Sequence, residues 1–179
     1  NSEFEKQLAN FLEINTAVTT NSGSSANLLA ITSLTSKELG ENALNPNDEI
    51  ITVAAGFPTT VNPIIQNGLV PVFVDIEAST YNIDVDQLES AITPKTKAIM
   101  PVSLFGQMPD LGRINAIAEK HGIPVIEDAA QSFGATQHGR RSCSISSIAS
   151  TSFFPAKPFG CFGDGGALFT NDDELAEKM

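Results

Sequence analysis

Lys157 lies in Thr151-Ser-Phe-Phe-Pro-Ala-Lys-Pro-Phe-Gly160, directly after an apolar run that reads as a strand. A glycine-rich turn, Gly160-Cys-Phe-Gly-Asp-Gly-Gly166, then leads into another. A lysine on a tight loop between two buried strands is poorly placed for solvation. Partial desolvation weakens its preference for the charged form, and a neutral amine can attack a carbonyl. Upstream, Pro124-Val-Ile-Glu-Asp-Ala-Ala-Gln-Ser-Phe-Gly134 puts acids at the end of a second buried strand. Neighbours on a strand point to opposite faces, so only one of Glu127 and Asp128 can face a site there. Asp128 is the candidate, because open α/β sheets bind ligands beyond the carboxyl ends of their strands; the alternative for it is a helix cap or a loop ion pair.

Other residues extend this chemistry. Asn21-Ser-Gly-Ser-Ser-Ala26 sits where a strand turns into a helix, and free N–H groups, the helix dipole and small hydroxyls make an anion site there. Serine-rich N-caps are also common without a ligand, and the motif is not the dinucleotide fingerprint G-x-G-x-x-G. Ser152, on the strand that delivers Lys157, could reach the same anion or simply bond to backbone. Phe57, in Ala54-Ala-Gly-Phe-Pro-Thr-Thr60, could stack on a planar ring or fill the core. Gln131 follows Asp128 by three residues and could donate to a ring hydroxyl. A lysine for a Schiff base and an aspartate for a pyridinium nitrogen are the pair that pyridoxal phosphate (PLP) chemistry requires. Cys161 lies near Lys157 without an activating base and reads as a small loop residue. His121, His138 and the Arg140-Arg141 pair read as surface residues.

These side chains need a scaffold. Apolar strand-like runs at Thr16–Asn21, Glu49–Ala55, Val70–Ile76, Lys97–Leu104, Pro124–Asp128, Ile148–Phe154 and Ala167–Thr170 are interleaved with helix-like segments near Ala26–Leu39, Pro58–Asn67, Val85–Ile92 and Leu111–Lys120. Such alternation predicts an α/β, three-layer αβα domain with a mostly parallel seven-stranded sheet. The loop from Ile148–Phe154 to Ala167 is too short for a helical crossover, so the last strand is expected to run antiparallel. Asp84 and Asp110 are placed as N-caps. Residues 1–13 read as a helix with an apolar face of Phe4, Leu8, Phe11 and Leu12, able to pack on the domain or on a partner.

Bulk properties narrow the function. The 179 residues are 41% hydrophobic, enough for one globular domain with a sizeable core. With 10 basic and 21 acidic side chains, the net charge of −11 and the lack of a basic stripe argue against nucleic acid. An anionic substrate must then be met by local donors. Two cysteines without ligand spacing suggest neither a disulfide framework nor a metal site. No run is long enough to span a bilayer, no secretory leader is visible, and a cytoplasmic protein is the expectation. The chain opens on Asn1 and stops within a helix-like segment, so it reads as a piece of something longer.

Taken together and in order, Asn21-Ser-Gly-Ser-Ser-Ala26, Gly56-Phe-Pro-Thr-Thr60, Val72-Phe-Val-Asp-Ile76, Glu127-Asp-Ala-Ala-Gln-Ser-Phe-Gly134, Ser152-Phe-Phe-Pro-Ala-Lys157 and Gly163-Asp-Gly-Gly-Ala167 resemble the DegT/DnrJ/EryC1/StrS family of fold-type I sugar aminotransferases. The resemblance implies that residues 1–179 are a PLP-binding large domain, with the family's smaller C-terminal domain absent. It implies that Lys157 forms the Schiff base and shuttles the proton, that Asp128 meets the pyridinium nitrogen and Gln131 the ring oxygen, and that Phe57 stacks. Ser24, Ser25 and Ser152 would hold the phosphate. It further implies transfer of an amino group from glutamate to a nucleotide-linked keto-sugar, through pyridoxamine phosphate (PMP), in a homodimer serving polysaccharide or deoxyaminosugar synthesis. Leu34–Gly40 and Val53–Gly68 are similar instead to the family's PMP-dependent 3-dehydrases, which carry histidine at the position of Lys157. Some non-catalytic relatives keep the lysine.

Overall fold

The computed structural model describes residues 1–179. Helix α1 (Ser2–Leu12) precedes β1 (Thr16–Thr20) and α2 (Gly23–Leu34). Then come β2 (Glu49–Val53), α3 (Pro58–Gln66), β3 (Val70–Val74), α4 (Val85–Ala91), β4 (Thr96–Met100) and α5 (Leu111–His121). The chain closes with β5 (Ile126–Asp128), a small hairpin of β6 (Thr136–Gln137) and β7 (Arg140–Arg141), β8 (Ile148–Ser152), β9 (Gly166–Thr170) and α6 (Asp173–Ala176).

The larger strands form two ladders, β1-β9-β8-β5 and β3-β2-β4, joined by parallel bridges from Ile99 to Val125 and from Val102 to Asp128. The result is one seven-stranded surface in the order β3-β2-β4-β5-β8-β9-β1. All neighbours are parallel except those of β9, which runs antiparallel to both β8 and β1. The expected antiparallel last strand is therefore present, and the short loop carrying Lys157 is its turn. The β6–β7 hairpin was not foreseen from the sequence, whose two-residue strands carry no period to read.

Alternation along each strand sorts the core into layers. Ile50, Ala98, Met100, Ile126, Ile148 and Leu168 meet Ala26, Ala30, Ile31 and Leu34 of α2 and Ile64 of α3. Their neighbours Ile51, Val53, Ile99 and Val125 meet Leu88 of α4 and Leu111, Ile114 and Ala118 of α5 on the other face. Ala149, Ala167 and Phe169 complete that face against Leu8 and Leu12 of α1. The amino-terminal helix thus packs on its own domain, with Phe11 stacked on Phe133 and Glu5 accepting from the Thr19 N–H and hydroxyl. Asp84 and Asp110 cap α4 and α5 as expected, accepting from the N–H groups of Asp86 and Arg113.

Candidate functional site

Because β2, β4, β5 and β8 run in one direction, their carboxyl-end loops gather at one edge of the sheet. A cavity of about 380 Å³ opens there. Its size suits a small cofactor or metabolite, for which pockets run from roughly 300 to 1,000 Å³. Ser24, Phe57, Asp128, Gln131, Ser152 and Lys157 all line it, from segments far apart in sequence. Ser25 does not. Its N–H donates to the Ser22 hydroxyl, which also bonds its Oγ, so Ser25 is used in capping α2.

The floor of the cavity is Asp128, 4% exposed. Its Oδ2 accepts from Asn27 Nδ2 at 2.9 Å and from the Thr60 hydroxyl at 2.7 Å, and its Oδ1 accepts from the Ala130 N–H at 3.1 Å. A buried carboxylate is tolerated only with such donors. Glu127 points the opposite way, as pleating requires. It is fully buried on the α5 face and accepts from the hydroxyls of Ser103 and Ser142 and from the Cys143 N–H. Burial, only partly offset by those donors, pushes its carboxyl above the usual range.

One wall is the amino end of α2. Ser22 caps it, and the Gly23 and Ser24 N–H groups bond to no acceptor in the chain. This end lies directly on β8: a Cβ at Gly23 would come within 2.5 Å of the Ser152 Cβ, and one at Gly166 within 2.5 Å of the Ser22 carbonyl oxygen. Only glycine permits that approach. Ser152 Oγ and the first turn of α2 therefore form one polar concave wall, suited to an anion through dipole and N–H donors. Among the lining residues Lys157 is the sole cation, against Asp128 and Asp164. A phosphate here would depend on these neutral donors rather than on net charge.

Lys157 stands half-buried at the lip, its own N–H donating to the Phe154 carbonyl at 2.8 Å and its amine entering no ion pair. The side-chain oxygen of Gln131 accepts from the Phe105 N–H at 3.0 Å, leaving the amide NH2 as the group it can offer the cavity. Phe57 is largely exposed at the rim and is no core residue. Cys161 is exposed outside this cavity, and Cys143 is buried with its thiol pushed well up by burial. Arg141 stacks on Phe11 and pairs with Glu13, and Arg140 donates to the Ser144 carbonyl; neither reaches the cavity.

The two side chains that hold the Asp128 carboxylate, Asn27 and Thr60, were not singled out from the sequence. Asn27 has a visible signal: it occupies a core position in the inward stripe Gly23, Ala26, Asn27, Ala30, Ile31, Leu34, where apolar residues are the rule. Thr60 carries no such mark.

Known proteins bear on this arrangement. The chain is 51% identical over 178 residues to UDP-2-acetamido-2-deoxy-3-oxo-D-glucuronate aminotransferase of Pseudomonas aeruginosa, covering 99% of this chain and 47% of that protein. It is 46% identical over 173 residues to dTDP-4-dehydro-2,6-dideoxy-D-glucose 3-dehydratase of Saccharopolyspora spinosa, covering 97% of this chain and 37% of that one. The crystal structure of ntda from Bacillus subtilis with bound cofactor PMP superposes with a TM-score of 0.88 at 40% identity, covering 99% of this chain and 38% of the other. The chain thus spans less than half the length of these relatives. The sequence profile of the DegT/DnrJ/EryC1/StrS aminotransferase family matches residues 1–179, and with the fold and these likenesses it follows that the chain belongs to that family.

Proposed function

We propose that these residues form the PLP-binding large domain of an aminotransferase that moves an amino group from glutamate to a nucleotide-linked keto-sugar. The observation that carries the reading is the convergence of Lys157, Asp128 and the donor-rich start of α2 on one cavity of cofactor size. Likeness to an aminotransferase of a UDP-sugar and to a PMP-bound structure supports it. Bound PLP supplies an aldehyde that takes up the amino group and a ring that withdraws electrons from the reacting carbon.

The chain's own groups then divide the work. Lys157, at the lip of the cavity, is the residue that would hold the cofactor covalently through its amine and would serve as the proton carrier at the substrate carbon. Asp128, fixed in orientation by its three donors, would pair with the ring nitrogen of bound PLP. The Gln131 amide NH2 would donate to a ring oxygen, and Phe57 would cover one face of the ring. Ser24, Ser152 and the first N–H groups of α2 hold the phosphate; Ser25 acts on it only through the cap. We further place the protein in the cytoplasm as a homodimer, consistent with the absence of any helix long and apolar enough to cross a membrane and with the apolar rings exposed at the cavity edge.

The decisive experiment adds PLP to the intact protein, reduces with borohydride and locates the pyridoxyl group by peptide mass. We expect one adduct, on Lys157, lost in Lys157→Ala and strongly weakened in Asp128→Ala. Labelling scattered over surface lysines would sink the proposal. The 3-dehydratase likeness favours one other reading, loss of water from a hydroxy-sugar. Lysine at position 157, which can bond covalently to PLP where histidine cannot, favours transamination. Formation of 2-oxoglutarate from glutamate in the presence of a keto-sugar nucleotide separates the two.

A further inference from the structure

Asn27 is 3% exposed, yet its side chain is a full amide. Its Nδ2 donates to Asp128 Oδ2 at 2.9 Å and to the Thr59 carbonyl at 3.2 Å, and its Oδ1 accepts from the Ser150 hydroxyl. Those partners lie on β5, on the first turn of α3 and on β8, while Asn27 itself is on α2. These are the four segments that carry Asp128, Phe57, Ser152 and Ser24. One buried amide therefore ties together four of the segments that line the cavity.

Its orientation is fixed by chemistry. Two acceptors, a carbonyl and a carboxylate, meet the NH2 end, and one hydroxyl donor meets the oxygen. A flipped amide would set its oxygen against the oxygens of Asp128 and Thr59 and lose both of those bonds. Thr60 shares the same carboxylate oxygen but reaches no other wall of the site.

We infer that Asn27 is a positioning residue for the cofactor site, acting through Asp128: its amide sets the rotation of that carboxylate toward the place of the ring nitrogen. The inference rests on the function proposed above. The polar atoms of the Asn27 amide are all engaged by Asp128, Thr59 and Ser150, so its effect on the ring nitrogen passes through Asp128 and should shrink when Asp128 is removed.

The test is a double-mutant cycle in the intact protein with PLP as the probe. Wild type, Asn27→Ala, Asp128→Ala and the double variant are stripped of cofactor and titrated with PLP, reading the dissociation constant and the pH midpoint of the visible band. Losing a hydrogen bond to a buried charge should weaken PLP about tenfold or more in Asn27→Ala and move the midpoint. In the Asp128→Ala background the same substitution should change affinity less than about twofold. Equal losses in both backgrounds, or no loss in either, would overturn the inference. Should Asn27→Ala fail to fold, Ser150→Ala loosens the amide from its other end and should give a smaller loss of the same kind, again absent without Asp128. Wild type that takes up no PLP refutes the functional proposal and this one with it; wild type that binds while every variant matches it refutes this one alone.

Discussion

Glu127 and Asp128 are adjacent carboxylates buried on opposite faces of one strand, and only Asp128 opens on the cavity. Glu127 therefore shows what burial does without a ligand to serve. Its carboxyl is raised above the ordinary 4.5 chiefly by burial, the Ser142, Cys143 and Ser103 donors pulling the other way. A raised acid favours the fold fully below its unfolded value, and that contribution is lost as pH rises through the folded value. Glu127→Gln cannot ionise and loses this slope. The variant should gain stability relative to wild type as pH climbs from 4 towards 8, on top of a fixed cost for facing an NH2 group at the Cys143 N–H. Urea midpoints of the two proteins across that range measure it. A difference that stays constant with pH would show that Glu127 does not titrate as burial demands.

At the scale of elements, the contact of α2 with β8 decides whether the polar wall proposed to hold the phosphate keeps its shape. Gly23→Ala would drive a methyl into Ser152, 2.5 Å from its Cβ, and overpacking of this kind costs about 1–3 kcal/mol. PLP affinity should fall, while Ser24→Ala, which removes a hydroxyl from the same wall and adds no bulk, should cost affinity only through that lost hydroxyl. Thermal melts with and without PLP distinguish a wall pushed apart from a helix weakened as such. The turns, caps and strands around this wall were readable from sequence because they are local. Strand, glycine turn and lysine lie within one stretch, and Asp84 and Asp110 each announce a helix start within three residues. Asn27 is visible only as a polar residue at a core position and Thr60 not at all, and the role of both was not readable, because what they do depends on Asp128, 101 and 68 residues away. Ser25 bonds to the Ser22 cap and does not line the cavity: in a run of serines, the register that decides which one caps the helix is set by where α2 meets β8.

At the scale of the whole molecule, the same edge that opens on the cavity carries the large exposed rings. Phe57 follows β2, Tyr81 follows β3, Phe105 follows β4 and Phe162 follows β8, all on carboxyl-end loops. Tyr81 and Phe105 pack edge to face with centroids 6.2 Å apart, and Phe105 remains 75% exposed. Several large apolar side chains gathered on one exposed edge mark an interaction surface, and the proposed homodimer would cover it. Phe105 is the ring to remove. Its φ of 54° is left-handed, a conformation that asparagine adopts readily, so Phe105→Asn deletes apolar surface without straining the backbone. Burying one phenylalanine is worth roughly 1.5–3 kcal/mol, so the dimer dissociation constant of the intact protein should rise about tenfold or more. Sedimentation equilibrium reads this directly. A wild type that is monomeric, or a Phe105→Asn dimer as tight as wild type, would remove this edge from the interface and leave the exposed rings to some other cover.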